Sequence, residues 1–166
     1  MGMTGEPIGP GATAYVAVVG SSSATSAEVA WAEEVGRRLA EAGAVLVCGG
    51  LGGVMEAAAR GSAAAGGTSI GILPGERRRE ASRWLTTAVT TGLGEARNAL
   101  VVRSADVVIA VGGEFGTLSE IAFALKMGKT VVGLGTWDLA HEGQEGDPLI
   151  RATSAEGAVA EALAAI

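Results

Sequence analysis

From residue 14 onward the chain alternates two kinds of hydrophobic pattern. Short runs rich in Val, Ile and Ala end in Gly, and longer stretches repeat an apolar residue every three or four positions. The first pattern is that of strands buried on both faces and the second that of amphipathic helices. Strands are predicted at 14–20 (AYVAVVG), 44–50, 68–75, 85–92, 106–113 (DVVIAVGG) and 129–135. Helices are predicted at 26–43, 53–67, 95–105, 117–128 and 154–166. In the first helix Val29, Ala32, Val35 and Leu39 form the apolar stripe, Thr25 with Glu28 can form a capping box, and Gly43 stops it. Strand–helix alternation of this kind predicts an α/β fold. It would be a Rossmann-like, doubly wound and mostly parallel sheet of about six or seven strands, with helices on both faces. Strand order is not readable from the pattern. Residues 1–13 read as a flexible tail and 14–166 as a single domain.

The pattern contains an internal echo. Gly49, Gly50 and Gly53 follow one strand as Gly112, Gly113 and Gly116 follow another. Gly66, Thr68 and Gly71 then recur as Gly128, Thr130 and Gly133. Two strand–glycine turn–helix–strand units are implied, or else only the ordinary use of glycine at strand ends.

Composition narrows the function. With 166 residues and 48% apolar content, the chain suits one folded domain. Its net charge of −6 argues against nucleic acid as the main partner. The apolar runs are too short to span a bilayer and residues 1–14 do not resemble a secretory signal, so a cytoplasmic protein without membrane attachment is expected. One cysteine, Cys48, and one histidine, His141, exclude a disulfide framework or a His/Cys metal site within one chain. Four of the twelve basic residues, Arg77, Arg78, Arg79 and Arg83, crowd into one loop, which is either a solvated segment or a local anion site.

In an open parallel sheet, ligands bind at the carboxyl ends of the strands, near the point where strand order reverses. The candidates on that rim are Gly20, Ser21, Ser22 and Ser23 after the first strand. Gly49, Gly50, Gly52, Gly53, Val54 and Met55 follow the second, and Pro74 and Gly75 the third. Arg97 and Asn98 follow the fourth, in the first turn of the helix predicted at 95–105. Gly112, Gly113, Glu114, Phe115, Gly116 and Thr117 follow the fifth strand, with Glu120 one turn on. Helix N-termini with free N–H groups, glycine turns and hydroxyls together favour an anion, and a phosphate ester most of all. A dinucleotide fingerprint is missing, because Met55 stands where its third glycine belongs, and no Walker A loop is present. Pyridoxal phosphate would need a lysine, yet Lys126 and Lys129 lie toward the opposite rim. Arg97 in a first helical turn is disfavoured by the macrodipole unless it faces an anion or pairs with Glu95. Thr117 and Glu120 read equally as a capping box and as part of a ligand site.

The stretch GGLGGVMEAA, followed by GEARN and then RSADVVIAVGGEFGTLSE, resembles the LOG (LONELY GUY) superfamily, often mislabelled "lysine decarboxylase". Over residues 14–135 it is most similar to the branch that contains the molybdenum cofactor carrier proteins. The LOG signature is PGGxGTxxE with an upstream Arg-Lys. Gly113, Gly116, Thr117, Glu120 and Arg97 match it, whereas Gly112, Glu114 and Asn98 replace the proline, the second glycine and the lysine. The resemblance implies a Rossmann-like fold and a homo-oligomer, a dimer or tetramer. LOG enzymes hydrolyse the N-glycosidic bond of cytokinin riboside monophosphates, and the implied catalytic pair here is Arg97 and Glu120. The carrier branch implies binding of a molybdopterin-type cofactor without turnover. The superfamily also resembles the core of DNA-processing DprA proteins, a reading the acidic balance discourages. The leading expectation is a binding protein for a small phosphorylated, nucleotide-like ligand, either a nucleoside monophosphate or a molybdopterin-type cofactor, with no further cofactor or metal required. The alternative is a nucleoside 5′-monophosphate phosphoribohydrolase.

Overall fold

The structure, a computed structural model, describes residues 12–143 and 145–166. The expected N-terminal tail therefore lies almost wholly outside the described residues. Seven strands form one sheet in the order β4-β3-β2-β1-β5-β6-β7, parallel throughout. The strands are β1 Tyr15–Gly20, β2 Val45–Cys48, β3 Ser69–Leu73, β4 Thr87–Thr90, β5 Val107–Val111, β6 Val131–Leu134 and β7 Ile150–Ala152. Between them run α1 Ser26–Glu41, α2 Val54–Ala64, α3 Asn98–Arg103 and α4 Phe115–Lys126, and α5 Ala155–Ala164 closes the chain. No helix among the described residues is long and apolar enough to cross a membrane.

The topology follows from crossover handedness. The chain steps outward from β1 to β4, returns to place β5 beside β1, and then steps the other way. Right-handed crossovers put the helices of these two directions on opposite faces. Accordingly Val16, Val18, Leu46, Ile109 and Leu134 face α1, α2 and α5 in one core cluster. Ala17, Val19, Val47, Val108 and Val131 face α3 and α4 in the other. Strands buried on both sides need the continuous apolar runs seen in the sequence.

Local structure agrees with prediction at α1. Thr25 caps it through the Glu28 amide at 3.3 Å, and Glu28 accepts from the Thr25 amide at 2.7 Å. The closest helix pairing is α1 against α2, where Gly36 faces the Ala58 carbonyl and Gly61 the Glu33 carbonyl with no space for a Cβ. These two glycines, unfavourable for isolated helices, let the two backbones touch.

Two expectations are corrected and one strand is added. Helix α4 begins at Phe115 with Glu114 as its N-cap, so Thr117 and Glu120 are not a capping box; both are buried helical residues. Arg97 closes a 3-10 turn, Gly94–Arg97, that leads into α3, so the helix predicted over 95–105 is split. β7 has no counterpart in the prediction: it is three residues long, largely exposed and without a period.

Among the described residues, no helix covers one part of the α3/α4 face. A groove of about 300 Å³ there is lined by Tyr15, Val47, Ile70, Ile72, Val89, Thr91, Leu100 and Ser104.

Candidate functional site

The reversal of strand order falls between β1 and β5. Loops leaving the carboxyl ends of these two strands must diverge to opposite faces, which opens a crevice. A cavity of about 280 Å³ occupies it. Gly20, Ser21 and Ser22 supply the β1 wall and Leu51 and Met55 the wall from β2 and α2. Glu95, Arg97 and Asn98 come from the approach to α3, and Glu114, Gly116, Thr117 and Glu120 from the start of α4.

The floor is buried and charged. Arg97 is 8% exposed and Glu120 6%. Their closest approach, Arg97 Nη1 to Glu120 Oε1, is 3.9 Å, too long for a hydrogen bond. Arg97 is held from behind, donating to the Gly49 carbonyl at 3.3 Å and to the Asn98 side-chain oxygen, while its Nε has no partner among the described residues. Asn98 in turn donates to Ser119 Oγ at 3.0 Å. Arg97 therefore pairs inward with Glu120 and does not form a surface pair with Glu95. Burial pushes the Glu120 carboxyl up to about 8, because Arg97, at 3.9 Å, offsets only part of the lost hydration and Glu95 adds repulsion. At neutral pH this side chain is mostly uncharged. The Cys48 thiol, fully enclosed behind the site, is pushed up to about 11 by burial and is no nucleophile.

Helix α4 presents its first turn to the cavity. The Leu118 amide is the first to bond within the helix, to the Glu114 carbonyl, and Glu114 makes no side-chain cap. The amides of Phe115, Gly116 and Thr117 thus lack acceptors among the described residues, and their partial positive charge faces the crevice. Helix α2 differs, because its first amide, Val54, already donates to the Ser21 carbonyl at 3.0 Å.

Ten of the residues singled out by sequence line the cavity: Gly20, Ser21, Ser22, Met55, Arg97, Asn98, Glu114, Gly116, Thr117 and Glu120. The others stand behind or beside it. Ser23 folds back, donating its amide to Ser21 Oγ at 2.9 Å. Gly49, Gly50, Gly52, Gly53 and Val54 form the turn behind Arg97 and Met55. The Pro74 and Gly75 carbonyls accept from the amides of Gly94 and Gly92, fixing the turn that delivers Glu95 and Arg97. Gly112 and Gly113 shape the β5 turn, and Phe115 stands beside the cavity, 78% exposed. Arg77, Arg78, Arg79 and Arg83 lie outside the cavity, with Arg83 stacked 4.8 Å from the Trp84 ring centroid. Sequence reasoning missed Leu51 and Glu95 as wall residues. Leu51 is an apolar residue inside a glycine turn, and Glu95 reads along the chain only as an ion-pair partner for Arg97.

Residues 13–160 match the SLOG cluster4 family. The chain belongs to that family. Similar solved structures include the molybdenum cofactor binding protein of the phototrophic bacterium Rippkaea orientalis, 38% identical, with a TM-score of 0.84 over 92% of this chain and 97% of that one. The Moco carrier protein of Chlamydomonas reinhardtii is 34% identical, with a TM-score of 0.82 over 93% and 100% of the two chains. An uncharacterised protein of Archaeoglobus fulgidus is 43% identical over 119 residues, 72% of this chain and 78% of that protein.

Proposed function

We propose that this SLOG cluster4 protein binds a small phosphorylated ligand, of nucleoside monophosphate or molybdopterin type, in the crevice between β1 and β5 and holds it without turnover. The observation that carries this reading is the union, in one cavity, of the uncapped N-terminus of α4 and the buried Arg97. The ligand's phosphate would accept from the α4 amides, the Thr117 and Ser21 hydroxyls and the Arg97 guanidinium, all of which are donors suited to an anion. A neutral Glu120 beside them removes the charge that would repel it. The similarity to proteins described as binding or carrying the molybdenum cofactor supports the same reading. The cofactor is then cargo, and the side chains at hand fit its phosphate end. A cytoplasmic homo-oligomer completes the proposal. The uncovered apolar groove on the sheet is the surface such assembly would bury, and light scattering of the purified protein reports it.

One observation favours a second reading. Arg97 and Glu120 occupy the matched positions of the LOG catalytic pair and meet in the cavity. In that reading Arg97 holds the phosphate and an ionised Glu120 stabilises an oxocarbenium-like transition state during N-glycosidic hydrolysis. The elevated Glu120 proton affinity weighs against it at neutral pH, because a neutral carboxyl offers no such charge. Incubating the protein with AMP and with cytokinin riboside monophosphates separates the two. Free base, released by the wild type and not by Glu120→Gln, establishes the hydrolase. No release, with a phosphate-bearing heterocycle co-purifying from the expression host, establishes the carrier.

A further inference from the structure

For a site that receives an anion, the cavity is unexpectedly rich in carboxyl groups: among the described residues that line it, Glu95, Glu114 and Glu120 stand against one cation, Arg97. Glu120 belongs to the floor: it is buried, faces the cavity and has no hydrogen-bond partner among the described residues. Glu95, before α3, and Glu114, before α4, are exposed at the rim, and neither side chain has a hydrogen-bond or ion-pair partner among the described residues. An acidic rim repels phosphate, so the anionic end of a ligand must sit on the floor and something rich in donors must face the rim.

Glu114 is the better placed of the two. Its backbone is pinned, since its carbonyl accepts from both the Leu118 amide and Trp137 Nε1, the latter at 3.1 Å. As N-cap it makes no side-chain bond to the helix amides, and its carboxylate is not spent on capping. Beside it the Phe115 ring is 78% exposed and packs against Trp137 with ring centroids 5.5 Å apart. A large aromatic group held by a partner yet left in solvent offers a flat surface to another ring.

We infer that Glu114 recognises the heterocycle of the ligand by accepting paired N–H donors from a 2-amino-4-oxo pyrimidine edge, the edge shared by guanines and pterins, with Phe115 packing against the ring. The proposal rests on the reading of the crevice as a phosphate site. Two parallel N–H groups match the two oxygens of a carboxylate. An adenine edge places a lone pair opposite one of those oxygens, and a hypoxanthine edge supplies a single donor.

The test uses the full chain titrated calorimetrically at pH 7 with ribose 5-phosphate, GMP, IMP and AMP. The expected result is that GMP binds roughly tenfold more tightly than AMP or IMP, the scale of one bidentate discrimination. In Glu114→Gln the GMP preference collapses while ribose 5-phosphate affinity is kept or raised, because a repelling charge is gone. Phe115→Ala weakens GMP, IMP and AMP alike and leaves ribose 5-phosphate unchanged. Equal affinity of the wild type for GMP and AMP overturns the inference, as does a preference that survives in Glu114→Gln. If ribose 5-phosphate binds in either of those cases, the phosphate site stands and only the role of Glu114 falls. If none of the four probes binds, both readings fall together.

Discussion

The units β2–α2–β3 and β5–α4–β6 begin from nearly the same glycine pattern and end in different work. Both turn on glycines of positive φ, Gly50 and Gly53 in one and Gly112 and Gly113 in the other, and both helices stop at a glycine with φ of 72°, Gly66 and Gly128. Yet the first unit gives the cavity only Leu51 and Met55, whereas the second gives Glu114, Gly116, Thr117 and Glu120. The difference is one of place. α2 starts against the β1 loop, where the Ser21 carbonyl takes its first amide. α4 starts on the far side of the reversal point and keeps its amides open to the crevice. A glycine turn is therefore a scaffold in one unit and a binding surface in the other, and substitutions should tell them apart.

The largest effect is expected at Gly53. With φ of 62° and ψ of −128° it is in a region closed to other residues, and a Cβ there overlaps the Ser21 carbonyl. Gly53→Ala should lower stability by about 3 kcal/mol in chemical denaturation, from backbone strain and a forced shift of the β1 loop. Next is Arg97→Met, which should weaken ribose 5-phosphate binding by roughly a hundredfold, the scale of a lost charged hydrogen bond. Its stability loss should grow with pH, since Glu120 protonates readily at low pH but loses its counter-charge when ionised.

Glu120→Gln gives a smaller, pH-shaped effect. The folded carboxyl, pushed up to about 8 from an ordinary 4.5, holds its proton where the unfolded chain has released it. Folding then takes up a proton between those values, so this group's contribution to stability falls as pH rises from about 4.5 to 8. The melting temperature of the Gln variant should decline less than the wild type's over that window, and a parallel decline would refute the buried neutral carboxyl. The smallest effect separates the units most cleanly. Around Gly116 a Cβ meets nothing within 4 Å, so Gly116→Ala should gain about 0.5 kcal/mol of helix stability. The same methyl enters the crevice and should cost a few-fold in ribose 5-phosphate affinity. Loss of stability at Gly116, or tolerance at Gly53, would break the distinction between scaffold and surface.

Gly112 shows how a departure from the LOG signature is built in. It adopts a φ of 52°, and the Cβ a proline would carry there collides with the Glu28 carboxylate. That carboxylate is also the one completing the cap of α1. A capping interaction legible in the sequence thus shapes the turn of another unit 84 residues away, which no local pattern reveals.

By itself the sequence determined the alternation of elements, the parallel sheet, the cap of α1 and the rim on which chemistry collects. Each of these depends on residues near one another along the chain, through strand and helix periods, cap residues and glycine at turns. Strand order, the exposed three-residue β7 and the true start of α4 were decided only in three dimensions. So were the meeting of Arg97 with Glu120 and the split between a scaffolding turn and an open one. The physical reason is that these depend on which loops become neighbours at the β1–β5 reversal. There burial, more than helix capping, sets the state of Glu120, and the Ser21 carbonyl rather than any side chain decides which helix keeps its amides free.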